Sequence, residues 1–128
     1  MIMEEKELIT TSVASLAYLG DSVFELTVRE HLVKSGLSSS AKLNKAALAY
    51  VTASAQSDGV KKILDELDDE ELAIYKRGKN HKTSHCPKNS EPDEYHRATG
   101  LEVLFAALYL QNKHERIKEL FALGFLNN

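Results

Sequence analysis

Two carboxylates stand out by the company they keep. Asp21 lies within Leu16-Ala17-Tyr18-Leu19-Gly20-Asp21-Ser22-Val23-Phe24-Glu25, and Glu102 sits in Leu101-Glu102-Val103-Leu104-Phe105-Ala106-Ala107-Leu108-Tyr109-Leu110. Each is a lone acid in the most apolar part of its half of the chain. An acid withdrawn from water costs several kcal/mol unless it is paired, hydrogen-bonded or bound to a cation. If the two segments pack at the domain centre the acids can meet, and two carboxylates close together repel unless a proton or a cation lies between them. Magnesium suits such a pair, because it takes oxygen ligands and keeps several waters. Metal-activated water attacking a phosphodiester is the chemistry this arrangement supports. The alternative is that each acid accepts local hydrogen bonds or pairs with a cationic side chain. Glu25, one turn after Asp21, precedes Arg29 by four residues and reads as an ordinary helix ion pair, worth about 0.3 kcal/mol.

A second feature complements the acids. From Lys76 to Lys88 there are five cations (Lys76, Arg77, Lys79, Lys82 and Lys88) and no acid, so this stretch carries +5 in a chain whose formal net charge is -3. Such a concentration supplies phosphate contacts, and each one steepens the salt dependence of nucleic-acid binding. His81, His85 and Cys86 fall in the same stretch. Three ligands are too few for a closed zinc site, so these histidines read as further donors near phosphate. The acidic run Asp65-Glu66-Leu67-Asp68-Asp69-Glu70-Glu71 lacks the alternating ligands of a calcium loop and reads as a capping box from Asp68 to Glu71.

The elements that must position these groups are helical. Apolar spacings of three and four from Ser12 to Lys34 predict a helix buried nearly all round, stopped at Ser35-Gly36, and Gly20 within it predicts close packing against a second helix or a second subunit. Ser38, Ser39 and Ser40 are candidate caps for a helix through Tyr50. A further helix is expected from Ala53 to Leu67, with a bend at Asp58-Gly59. Leu72, Ile74 and Tyr75 lead into the basic segment; apolar periodicity vanishes from Gly78 to Ser90, and a basic, phosphate-contacting loop is expected over about 76–90. Helix resumes near Pro92 and runs to about Gln111. Asn112 is expected to cap a last helix that Gly124 stops. No strand-like alternation or internal repeat is present, so the fold class is all-α, with about six to seven helices in one domain over 1–128.

Composition sets outer bounds. The chain has 128 residues, enough for a core without covalent staples, and its one cysteine, Cys86, excludes an internal disulfide. No apolar run reaches the ~20 residues of a membrane span, and the charged start is not a signal peptide. A cytoplasmic protein with no membrane partner is the expectation. The near-continuous apolar surface from Leu16 to Val28 exceeds what one small core needs, which favours a homodimer.

These residues also resemble a known family. Leu19-Gly20-Asp21-Ser22-Val23 is similar to the ribonuclease III signature, and Glu102 with the apolar run after it resembles that family's second catalytic helix. The form Ala17-Tyr18-Leu19-Gly20-Asp21, the segment Lys76-Arg77-Gly78-Lys79-Asn80 and the stretch Tyr95-His96-Arg97-Ala98-Thr99-Gly100-Leu101-Glu102 resemble more closely the Mini-ribonuclease III branch, which lacks a double-stranded-RNA-binding domain. The resemblance covers essentially the whole chain. It implies an all-helical, dimeric endoribonuclease with Mg2+ held by Asp21 and Glu102, each subunit cutting one strand of double-stranded RNA. It further implies trimming of precursor 23S rRNA, with a large-subunit ribosomal protein as a possible companion. The RNA contacts it implies are Lys76, Arg77, Lys79, Asn80, Lys82, Lys88 and Arg97.

The sequence departs from the larger family at two acids. Ala17 stands where that family has a glutamate, and Thr99 where it has an aspartate. Both departures belong to the Mini-ribonuclease III pattern, and they imply fewer protein ligands and more water around the metal. They also leave open an alternative, a catalytically silent domain of the same fold that binds rRNA as an assembly factor.

Overall fold

The computed structural model describes residues 2–81 and 92–126, and among these the chain is helical throughout, with no strand. The order is α1 (Glu5–Thr10), α2 (Val13–Lys34), α3 (Ser40–Val51), α4 (Ala53–Ile63), a 3-10 turn (Leu64–Glu66), α5 (Asp69–Lys79), α6 (Pro92–Leu110), α7 (His114–Phe121) and a π-helical turn (Ala122–Leu126). None of these helices is long and apolar enough to cross a membrane.

Helix α6 is the axis of the structure. Leu101, Val103, Leu104, Phe105, Ala106 and Ala107 lose all contact with water, because α2, α4, α5 and α7 all pack on this one helix. Its residues belong to two apolar clusters. Leu101, Leu104, Phe105 and Leu108 join Phe24, Val28, Val60, Ile63 and Phe121, whereas Val103, Ala106 and Ala107 join Leu8, Val13 and Leu16. Each fully buried large side chain contributes roughly 2 kcal/mol, so α6 is held by the packing of both clusters at once.

The caps explain several boundaries. Ser12, Ser39 and Thr52 accept backbone N–H bonds at the starts of α2, α3 and α4. Gly36, at φ 95°, takes the left-handed position just past α2. Asp68 and Glu71 form the expected capping box of α5, with bonds of 2.8 and 3.0 Å. Glu71, only 5% exposed, also receives two 2.8 Å bonds from Arg116, whose guanidinium reaches Glu119 and the Glu66 carbonyl as well. That guanidinium pulls the Glu71 carboxyl below its usual range and fastens α7 to α5.

The structure departs from the sequence expectations at identifiable places. Helix α1 is not visible as an apolar pattern, since Leu8 is its only buried residue; a capping box from Glu4 to Glu7 starts it. Helix α2 is not buried all round. Tyr18 (83% exposed), Leu26 (60%) and Val33 (62%) form an open stripe on it. Gly59 does not bend α4 but receives the Phe125 ring, and α4 ends at Ile63. Helix α5 continues through Lys79, so Lys76, Arg77 and Lys79 are helical and not part of a loop. Asn112 is not a cap; it adopts φ 61° after α6, and Lys113 precedes α7. Gly124 does not stop the last helix, because the π-helical turn runs through it and packs it on Gly59 and Ile63.

The packing of α2 on α6 is tightest at Gly20. A β-carbon there would fall onto the Glu102 carbonyl group, that is, onto backbone that cannot swing aside. Gly20→Ala is therefore expected to destabilise the protein by about 3 kcal/mol, read as a lowered urea midpoint with an unchanged slope.

Candidate active site

The site is built where α2 and α6 cross. The absence of a side chain at Gly20 lets the two backbones touch at Glu102, and Asp21, the next residue, brings its carboxyl close enough for the Glu102 carboxyl to feel its charge. Glu102 is half-buried and Asp21 exposed, which corrects the expectation that both acids are buried. The open stripe on α2 is the reason: its apolar residues made the helix read as enclosed on every side. Burial, then the charge of Asp21 and then the hydrogen bond to it push the Glu102 carboxyl up from 4.5 to about 8. The Glu102 carboxyl thus favours its protonated form at neutral pH.

The donor set is oxygen only. No cluster of three or more His, Cys, Asp or Glu side chains that could hold a metal is found among the described residues. Two carboxylates fit a hard cation that keeps most of its waters, which is the coordination magnesium prefers. They do not fit a structural zinc site, which needs four nitrogen or sulfur ligands. The Thr99 hydroxyl donates to the Tyr95 carbonyl at 3.0 Å, one turn back on α6. Glu25 pairs with Arg29 at 3.1 Å, the ordinary helix pair read from their spacing.

The expected RNA-contacting residues divide into groups. Lys76 and Asn80 are exposed, Lys79 is half-buried, and Lys82 and Lys88 lie outside the described residues, as do His85 and Cys86. Arg77 is turned inward: its guanidinium donates to the Leu8 carbonyl at 2.9 Å and to the Thr11 carbonyl, closing the C-terminal end of α1. Arg97 also points into the fold and donates to Ser57 Oγ at 3.1 Å. Sequence reasoning gave no role to buried Gln56 and Ser57, and it placed Tyr75 in a helix without its contact with Gly100 of α6. A signal for the first two was present: Gln56 and Ser57 precede Val60 by four and three residues, on the face that α4 turns inward.

Comparison with known proteins converges on one family. The model of the ribonuclease III domain matches residues 14–113. A Mini-ribonuclease 3 of Brevibacillus brevis is 41% identical over 110 residues, covering 86% of this chain and 82% of its own. That of a Thermoanaerobacter species is 36% identical over 123 residues, covering 96% and 87%. A crystal structure of a Fusobacterium nucleatum protein superposes with a TM-score of 0.76 at 40% identity, covering 87% of this chain and 88% of that one. The residues at the α2–α6 crossing lie within the matched span, and the chain belongs to the ribonuclease III family, as an endoribonuclease of the Mini-ribonuclease 3 type.

Proposed function

We propose that the chain is a magnesium-dependent endoribonuclease that cuts double-stranded RNA, with precursor 23S rRNA as its substrate. The observation that carries this reading is the convergence of Asp21 and Glu102 at the α2–α6 crossing, where burial and the Asp21 charge push the Glu102 carboxyl up. When bound, magnesium would supply a Lewis acid that activates water toward the phosphodiester and offsets charge developing on its oxygens. Asp21 and Glu102 would hold that ion, and Glu102 must surrender its proton for both carboxylates to do so. The cations Lys76 and Lys79 on α5, followed in sequence by Lys82 and Lys88, would grip phosphates along a duplex. A-form RNA is read chiefly by shape, through phosphates and 2′-hydroxyls, so sequence preference would be modest. A ribosomal protein bound to the precursor would then help to select the substrate.

The open stripe of Tyr18, Leu26 and Val33 supports a homodimer formed through α2. Two copies would then present two carboxylate pairs, one for each strand.

Three outcomes are expected. Asp21→Asn should retain duplex binding and lose magnesium-dependent cleavage by at least ~100-fold, and chelator should abolish wild-type cleavage; wild-type rates in either case would refute the assignment. Leu26→Arg should shift the protein from dimer to monomer in sedimentation velocity and lower cleavage with it.

The third outcome concerns pH. Below about 4.5 the Glu102 carboxyl is neutral in both folded and unfolded chains. Above it the unfolded chain ionises first, so metal-free stability should fall as pH rises toward 8. Discounted for partial contact with water, the loss is about 2 kcal/mol. It should vanish in Glu102→Gln and be offset by added Mg2+. In the same window the apparent Mg2+ affinity should rise with pH, as the competing proton leaves.

A further inference from the structure

Arg97 presents a puzzle that phosphate binding does not solve. Its guanidinium is half-buried and donates to Ser57 Oγ at 3.1 Å, a hydroxyl with no exposure to water at all. Its charge is also felt by buried Tyr75, whose hydroxyl burial pushes up and Arg97 pulls back down. Arg97 therefore stands among three helices: on α6, bonded to α4, and near α5.

The other contacts that hold α6 are of a different kind. On the α2 side Gly20 rests on the Glu102 backbone, and on the α5 side Gly78 meets Val103 and Gly100 while Tyr75 meets Gly100. The α4 side is otherwise apolar, through Val60 and Ile63. The close packing at Gly20, Gly78 and Gly100 already confines the rotation of α6 on its α2 and α5 sides. A charge-assisted hydrogen bond has a preferred length and angle. Among the described residues, Arg97 to Ser57 is the side-chain bond that joins α6 to α4. It acts five positions before Glu102, on the same rigid helix.

We propose that Arg97, through Ser57, is a positioning residue for the Asp21–Glu102 pair: it holds the rotation and register of α6 on its α4 side and so the aim of the Glu102 carboxyl. The inference rests on the reading of that pair as the magnesium site. A displacement of about 1 Å at reacting groups costs on the order of a hundredfold in rate, so a modest rotation of α6 is enough to register.

The test uses the full chain, a labelled RNA duplex and Mg2+. Ser57→Ala and Arg97→Gln are each expected to lower kcat by about tenfold, with KM and the salt dependence of duplex binding unchanged. The double variant should be no worse than the poorer single one, as expected for two residues acting through one bond. Arg97→Lys, which keeps a donor, should recover much of the rate. Calorimetric titration with Mg2+ in the absence of RNA should show severalfold weaker binding in Ser57→Ala and Arg97→Gln. The proposal is overturned if Arg97→Gln raises KM and lowers the salt slope by about one unit while Ser57→Ala behaves as wild type, for then Arg97 contacts phosphate. It is equally overturned if both variants lower the melting temperature alone, with wild-type kcat and Mg2+ affinity. If Arg97→Gln does not fold, Ser57→Ala and Arg97→Lys make the same comparison. Asp21→Asn in parallel separates the two levels: if that variant cleaves normally, the carboxylate reading fails, whereas an inactive Asp21→Asn beside normal Ser57 and Arg97 variants removes the positioning role alone.

Discussion

Everything in this structure depends on one backbone-to-backbone contact, Gly20 of α2 against Glu102 of α6. Helices normally pack 8–10 Å apart because side chains separate them; a glycine at the crossing removes that spacer. Two consequences follow from the same contact. The carboxylates on either side of it come close enough for the glutamate to feel the charge of the aspartate, and the glutamate is drawn partly out of water. The free energy that forces like charges together comes from elsewhere, from the two apolar clusters that hold α6 on both flanks. The site is a place where the core's stability is spent on an unfavourable electrostatic arrangement that a proton or a cation relieves.

The cations divide by chemistry. Three of the four arginines, Arg77, Arg97 and Arg116, turn inward, to the Leu8 and Thr11 carbonyls, to Ser57 Oγ, and to Glu71 and the Glu66 carbonyl, whereas Arg29 pairs with Glu25 at the surface. A planar guanidinium offers several donors in fixed directions and sheds water more readily than an ammonium, so it suits acceptors held by the fold. Lys76 stays in solvent, where a hydrated point charge on a flexible stem suits the phosphates of a polymer. Net charge along a segment does not distinguish these uses; side-chain type does better.

The helices were legible where a periodic apolar face or a cap residue marked them. Ser12, Ser39, Asp68 and Gly36 all occupy positions that their side chains or conformational freedom favour. What failed to show were features that need a third dimension. Helix α1 buries a single leucine and has no period to detect. Gly59 and Gly124 read as breaks, yet they are hollows that receive Phe125 and the Gly59–Ile63 backbone and side chain. The stripe through Tyr18, Leu26 and Val33 made α2 look enclosed, because apolar residues on a solvent face and on a core face are identical in one dimension. The two acids could be singled out by their surroundings, but their meeting depended on a crossing that only the glycine hinted at. The bond from Arg97 to Ser57 could not be read at all, because the two lie forty residues apart in sequence.

The central place of α6 also governs when the molecule can fold. Asp21 and Glu102 are 81 positions apart, and at about 5–20 residues per second a ribosome needs roughly 4–16 seconds to travel from one to the other. Until α6 emerges, α2 has neither its packing partner nor its second carboxylate. The emerging chain thus can neither bring the two carboxylates together nor close either apolar cluster through most of its own synthesis.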